Sequence, residues 1–222
     1  MADMRTPTRD GVIAAACSIS QILPPTPLLP VEIGGVRCWI KAESLQPIGA
    51  FKIRGGWWRL SCLSEEERAR GVVAVSSGNH AQGVAWAARK LGIKAAIVMP
   101  RNAPKVKLEA TEALGAEIIL YDRPGEDRDE VAAREIEKRG AVLVHAFADA
   151  WVIEGQGSAG IERLGSDLGA FGPIVGPAGD DQRGGCVEQH RIAIGAGGAC
   201  QQRLERAGVV RRIAAADRFD RR

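Results

Sequence analysis

From residue 72 to residue 144 the chain repeats one unit, and this repeat restricts the fold more than any other feature. The unit is a short apolar run, a polar loop, an amphipathic stretch and a closing glycine. The apolar runs are 72–75, 94–99, 117–121 and 142–144. Stretches with helical periodicity occupy 79–91, 104–114 and 127–138, closed by Gly92, Gly115 and Gly140. Apolar runs too short for helices, and without polar alternation, predict strands buried on both faces. Parallel strands need a crossover connection, and the helical stretches supply one each time. The order βαβαβαβ therefore predicts an α/β fold with a doubly wound parallel sheet and right-handed connections. Upstream, 36–42 predicts a strand and 53–63 a helix. Ser64, followed three residues later by Glu67, predicts a capping box at the start of a short helix.

Composition removes several function classes. Thirty Lys and Arg against 27 Asp and Glu leave a net charge of only +3. Without an aromatic-interleaved basic stripe, this argues against nucleic acid or an anionic membrane as a partner. A chain that is 45% apolar and 26% charged reads as soluble and globular. The apolar run 12–19 follows Arg5 and Arg9, but Ser18, Ser20 and Gln21 interrupt it. It therefore predicts no signal peptide, and no apolar stretch is long enough to span a bilayer. Five cysteines, at 17, 38, 62, 186 and 200, form no C-x-x-C pair. Neither a disulfide framework nor a metal site is expected, and a reducing cytoplasm fits best. No G-x-G-x-x-G follows the first strand and no G-x-x-x-x-G-K-[ST] occurs, which disfavours nucleotide binding.

In doubly wound sheets, ligands sit beyond the carboxyl ends of the strands, so the polar loops are where chemistry is expected. Residues 47–55, Pro-Ile-Gly-Ala-Phe-Lys-Ile-Arg-Gly, place Lys52 beside Phe51 at a helix start. A helix N-terminus and partial burial both disfavour a charged amine there, which suits a lysine that attacks carbonyls. Residues 76–83, Ser-Ser-Gly-Asn-His-Ala-Gln-Gly, follow a strand and open a helix. Hydroxyls, an amide and free backbone N–H groups at that point can receive an anion, although an ordinary strand-to-helix cap reads the same way. Residues 154–158, Glu-Gly-Gln-Gly-Ser, read locally as a flexible turn. Trp57 and Trp58 are expected to pack a helix against the sheet.

Taken together, these loops resemble a known family. The string from Lys41 to Gly55 is similar to the cofactor-lysine motif of the fold type II pyridoxal-phosphate enzymes, in the threonine dehydratase and serine racemase branch. Ser76 to Gly83 resembles that family's asparagine loop. Residues 99–105 and 114–117 resemble its small-domain repeat, and 155–158 the segment that returns the chain to the large domain. The resemblance implies pyridoxal 5'-phosphate as cofactor and Lys52 as the residue that carries it and moves the substrate's α-proton. It implies Phe51 as an apolar neighbour of the cofactor and Asn79 as the partner of its phenolic oxygen. Ser76, Ser77, Asn79 and His80 would receive the substrate carboxylate. Ser77 also matches the second acid/base of the racemases. The implied activity is an ammonia-lyase (dehydratase) on a β-hydroxy amino acid such as threonine or serine, with racemase chemistry as a variant, in a homo-oligomer. It implies 1–67 as the start of a large cofactor domain, 68–152 as a small α/β domain and 153–179 as the return to the large domain.

Two departures matter. Ala50 stands where the family usually has Ser or Thr. At Gly179, where the resemblance places the start of the phosphate-holding loop, Asp180 and Asp181 follow directly, and two carboxylates repel a phosphate dianion. From Asp180 onward there are nine arginines and no lysine. This break points to a truncated or frame-shifted C-terminal part, with 180–222 a poorly ordered tail, an incomplete large domain and a catalytically inactive product as the alternative function. The competing reading is a diverged tail whose stretch 201–216 packs on the sheet.

Overall fold

The computed structural model describes residues 5–164. In chain order they form α1 (Arg9–Ile19), β1 (Leu28–Ile33), β2 (Val36–Lys41) and a 3-10 turn at Glu43–Leu45. Then come α2 (Lys52–Ser61), α3 (Glu65–Arg70), β3 (Val72–Val75), α4 (Asn79–Leu91) and β4 (Ala95–Pro100). The rest are α5 (Lys105–Ala113), β5 (Glu117–Tyr121), α6 (Arg128–Arg139), β6 (Val142–Leu143) and α7 (Ala150–Leu164). The expectations that fall on 165–222, including Gly179 and the tail, lie outside the described residues.

The predicted parallel sheet is present, with strand order β5-β4-β3-β6. β4 is buried at every position, as expected of a strand with neighbours on both sides and helices on both faces. Val72 and Ala74 of β3 pack with Val84 and Ala88 of α4 and Leu60 of α2. Val73, on the opposite face, packs with Val98, Tyr121, and Val131 and Ala132 of α6. The alternation of successive side chains along the strand thus joins two separate apolar layers. From β3 the chain steps outward to β4 and β5, then returns to place β6 on the other side of β3. The gap between the loops that leave β3 and β6 is the topological switch point, where such sheets bind ligands.

Local signals explain the helix ends. Ser64 Oγ accepts from Glu67 N at 3.2 Å, and Glu67 Oε2 accepts from Ser64 N at 2.9 Å, so the predicted capping box is formed. Gly92 (φ 67°) and Gly140 (φ 62°) close α4 and α6 in the left-handed conformation that glycine adopts without a steric penalty.

Three elements differ from the sequence reading. α1 was not foreseen; its Thr8 side chain caps it by accepting from Gly11 N. β1 pairs antiparallel with β2 and puts Leu29 opposite Ile40 and Ile33 opposite Val36. Residues 154–158 are not a turn but the middle of α7. The glycines there answer a tertiary demand, because a Cβ on Gly155 would lie 2.6 Å from the Arg54 carbonyl oxygen. Among the described cysteines, Cys62 is a free thiol.

Glu154 fastens α1 to α7 and α2. It is fully buried and accepts from Arg5 Nη2 at 2.8 Å, Thr8 N at 2.9 Å and Trp58 Nε1 at 3.1 Å. Burial alone would raise its carboxyl, but these hydrogen bonds hold it below the ordinary glutamate value. Trp57 donates to Ser18 Oγ at 3.0 Å and meets Trp86 edge to face. Trp57 therefore serves a helix–helix contact in addition to covering the sheet, whereas Trp58 packs with Ala15, Ile19 and Ile53 of the helices.

Candidate active site

Lys52 is the first residue of α2, and the structure carries its amine to the switch point. Its Nζ donates to the carbonyl oxygen of Ala146 at 3.0 Å, in the loop that leaves β6. The ring of Phe51 lies under the same amine, 5.3 Å from Nζ to centroid. Ser76, Ser77 and Gly78 form the loop that leaves β3, and Asn79 opens α4. Ser76 N donates to Val98 O at 3.2 Å and Gly78 N to Ser76 Oγ at 3.2 Å. Gly78 occupies the N-cap of α4 and supplies no side-chain cap. The first-turn N–H groups of this helix therefore offer the positive end of a thirteen-residue dipole to an anion. Ser76 and Ser77 are half-buried and Asn79 is exposed.

His80 is buried, at 3% exposure. Its Nε2 lies 3.0 Å from the Val144 carbonyl oxygen, which can only accept, so Nε2 carries the proton. Burial, and then the nearby charges of Lys52 and His145, push the ring down to about 4, against the opposing pull of the Val144 bond. His80 is thus neutral near pH 7. It braces the start of α4 against the end of β6, two residues from the carbonyl that holds Lys52.

What fixes Lys52 is the grip on α2 from both sides. On one side, a Cβ on Gly83 of α4 would stand 2.8 Å from the Lys52 carbonyl oxygen, and one on Gly56 would stand 2.6 Å from the Gly83 carbonyl oxygen. On the other, a Cβ on Gly55 would stand 2.9 Å from the Val152 carbonyl oxygen, and Gly155 faces Arg54 as described. Backbone meets backbone on both flanks, which only glycine allows at this separation.

Arg54 completes the grip. Its side chain is fully buried, with Nε 2.7 Å from Glu43 Oε2, Nη2 2.8 Å from Glu43 Oε1, Nη1 2.7 Å from Glu162 Oε1 and Nη1 3.1 Å from Ser158 Oγ. Lys41 Nζ reaches Glu162 Oε2 at 2.6 Å and also bonds both oxygens of Thr26. Burial raises the Glu43 carboxyl, but the bonds from Arg54 and Thr26 outweigh it and leave it lowered; Glu43 and Glu162 raise Arg54 despite its burial. Both partners are therefore charged, and the fork geometry ties α2 to the 3-10 turn and to α7.

The structure brings the Lys52 amine to the Phe51 ring and near His80, and Ala50, which precedes Phe51, is buried. Sequence reasoning did not single out Arg54, Glu162, His145 or the Ala146 carbonyl. His145 had a usable signal, as a ring nitrogen just beyond a strand's carboxyl end. The carbonyl had none, because a backbone acceptor leaves no trace in residue type.

Comparisons with known proteins agree with this fold. The chain is 48% identical to the L-threonine ammonia-lyase of Thermotoga maritima over 163 residues, covering 73% of this chain and 40% of that protein. It is 38% identical to the L-threo-3-hydroxyaspartate ammonia-lyase of Saccharomyces cerevisiae over 180 residues, covering 79% of this chain and 55% of that protein. The structure of maize serine racemase matches with a TM-score of 0.68 at 38% identity, over 72% of this chain and 50% of that one. The chain thus spans about half the length of these relatives. A family model described as pyridoxal-phosphate dependent enzyme matches residues 19–180. With its parallel sheet, its lysine at the switch point and that match over most of its length, the chain belongs to the family of pyridoxal-phosphate dependent enzymes.

Proposed function

We propose that this chain is the Lys52-bearing portion of a pyridoxal-phosphate-dependent ammonia-lyase that acts on a β-hydroxy amino acid such as threonine, serine or 3-hydroxyaspartate. The observation that carries the reading is the placement of the Lys52 amine at the switch point, beside the side-chain-uncapped N-terminus of α4. These residues fit the cofactor and the substrate. A primary amine answers the cofactor's aldehyde, and an uncapped helix start answers an α-carboxylate. When bound, pyridoxal phosphate supplies an electron-withdrawing ring that acidifies the substrate's α-carbon.

The chain's own residues do the rest. Lys52 holds the cofactor and takes the α-proton at Nζ. Phe51 covers the apolar side of the site, and Asn79 serves the cofactor's phenolic oxygen. The Ser76 and Ser77 hydroxyls, with Asn79 and the loop braced by His80, receive the carboxylate. Gly179 belongs to the phosphate side of the proposal. Ser77 as a second proton carrier would turn the same site into an amino-acid racemase. Asp180 and Asp181, directly after Gly179, favour the inactive alternative instead.

The proposed architecture keeps 68–152 as the small domain, with 1–67 and 153–179 in the large one; α2 bridges them by packing on both α4 and α7. A homo-oligomer is part of the proposal, supported by the exposed Leu29, Ile33 and Ile40 of the β1–β2 hairpin, at 46%, 62% and 47%. So is a cytoplasmic location, which the free thiol of Cys62 suits. Among the described residues no helix is long and apolar enough to cross a membrane, and no cluster could hold a metal ion.

The test is to supply the purified protein with pyridoxal phosphate and L-threonine, L-serine or L-threo-3-hydroxyaspartate, and to measure ammonia, 2-oxo acid and the D-isomers. Release of ammonia with 2-oxo acid is the expected result. D-isomer without ammonia would assign the racemase variant. Neither product, from protein that has taken up the cofactor on Lys52, would establish the inactive alternative.

A further inference from the structure

The segment between β6 and α7 is fixed at both ends. Val144 N donates to Val73 O at 2.8 Å, and Val144 O accepts from His80. At the other end Asp149 Oδ1 accepts from Val152 N at 3.1 Å to start α7, while its Oδ2 pairs with Arg59 Nε at 2.8 Å. Between them, the His145 ring takes the part that Asn or Asp takes in a side-chain-closed turn. Its Nδ1 lies 3.3 Å from Phe147 N and 2.9 Å from Ala148 N. Both are donors, so Nδ1 must present its lone pair. The Phe147 ring stands edge-on against the imidazole, with centroids 4.5 Å apart. Ala146, whose carbonyl holds Lys52 Nζ, is the residue this turn encloses.

We infer that His145 is a positioning residue for Lys52, closing the 145–148 turn through its Nδ1 lone pair and so aiming the Ala146 carbonyl at the amine. The inference deepens the proposed role of Lys52, and it is stated of the amine itself. An imidazolium has no lone pair at Nδ1, so protonation of His145 breaks both bonds of the turn and releases the carbonyl. Among the described residues, the charged and titratable groups near the turn are Lys52 from α2, His80 from α4 and the Asp149–Arg59 pair. Burial holds the His80 ring down at about 4, so it contributes no step between about pH 5 and 8, where histidine ordinarily titrates.

The experiment is trace acetylation of the protein without cofactor across that range, with the Lys52 to Lys105 labelling ratio read by peptide mass spectrometry. Lys105, whose side chain is 87% exposed, serves as the internal reference. In the native chain the ratio should step by about 2- to 10-fold, the range one hydrogen bond commands, as His145 titrates. His145→Asn supplies a non-titrating acceptor for the same two N–H groups and should give a flat profile at the native high-pH ratio. His145→Ala should give a flat profile at the released ratio. A pH step that persists in His145→Asn, or no step in the native chain, overturns the inference; these two results stand even if His145→Ala fails to fold. Because the label reads the amine directly, a chain that never takes up pyridoxal phosphate would defeat the functional proposal and leave this test decisive.

Discussion

Replacing Arg54 with alanine is expected to cost about 3–5 kcal/mol of folding free energy, the range for breaking a buried ion pair by removing one partner. Against a total of about 5–15 kcal/mol for an ordinary domain, that loss is a large share of the stability. The cause is what remains behind. Among the described residues, Glu43 would keep only Thr26 and Lys41, and Glu162 only Lys41 and Thr26 N, with the guanidinium that neutralised both carboxylates gone. Arg54→Lys restores the charge but not the fork, and should recover only part of the loss. Urea unfolding followed by tryptophan fluorescence measures both variants. A cost for Arg54→Ala below about 1 kcal/mol, the typical worth of an exposed pair, would show that the network does not hold α2 in place.

The second large effect has a sign that separates two accounts of α7. In an ordinary mid-helix position, glycine to alanine stabilises by roughly 0.5–1 kcal/mol. At Gly155 the new Cβ would stand 2.6 Å from the Arg54 carbonyl oxygen, 2.8 Å from the Gly55 Cα and 2.9 Å from the Trp58 Cβ. None of these is the end of a flexible side chain, so the helices must part. Overpacking of this kind costs about 1–3 kcal/mol, which exceeds the helix-propensity gain. Gly155→Ala is therefore expected to lower the melting temperature and, by loosening α2, to slow uptake of pyridoxal phosphate at Lys52. A raised melting temperature would mean that α2 and α7 do not pack through their glycines.

The contrast between what was legible and what was not follows the same line. The strands at 72–75 and 117–121, the helix at 79–91 and the Ser64–Glu67 box could be read because their causes are local: hydrophobic periodicity, caps and stops. Lys52 could be placed at a helix start for the same reason. Gly155 misled, because glycine in a sequence signals a turn while its purpose here is the approach of another backbone. α1 was missed because the interruptions at Ser18 and Ser20 looked like defects in a run; Trp57 in fact donates to Ser18. The charge network of Lys41, Glu43, Arg54 and Glu162 joins residues up to 121 positions apart, which no window along the chain can see. His80 on its own reads as a structural loop residue, within a loop that the resemblance gives to the substrate carboxylate; its burial and its bond to Val144 show what it braces.

The assignment of Lys52 is tested most directly by treating the full chain with pyridoxal phosphate, reducing with borohydride and mapping the pyridoxyl label by peptide mass spectrometry. The structure leads to one expected result: a near-visible absorption band that borohydride bleaches, a label confined to Lys52 at close to one per chain, and loss of both in Lys52→Ala. A label spread over exposed lysines such as Lys105, with Lys52 unmodified, would contradict it.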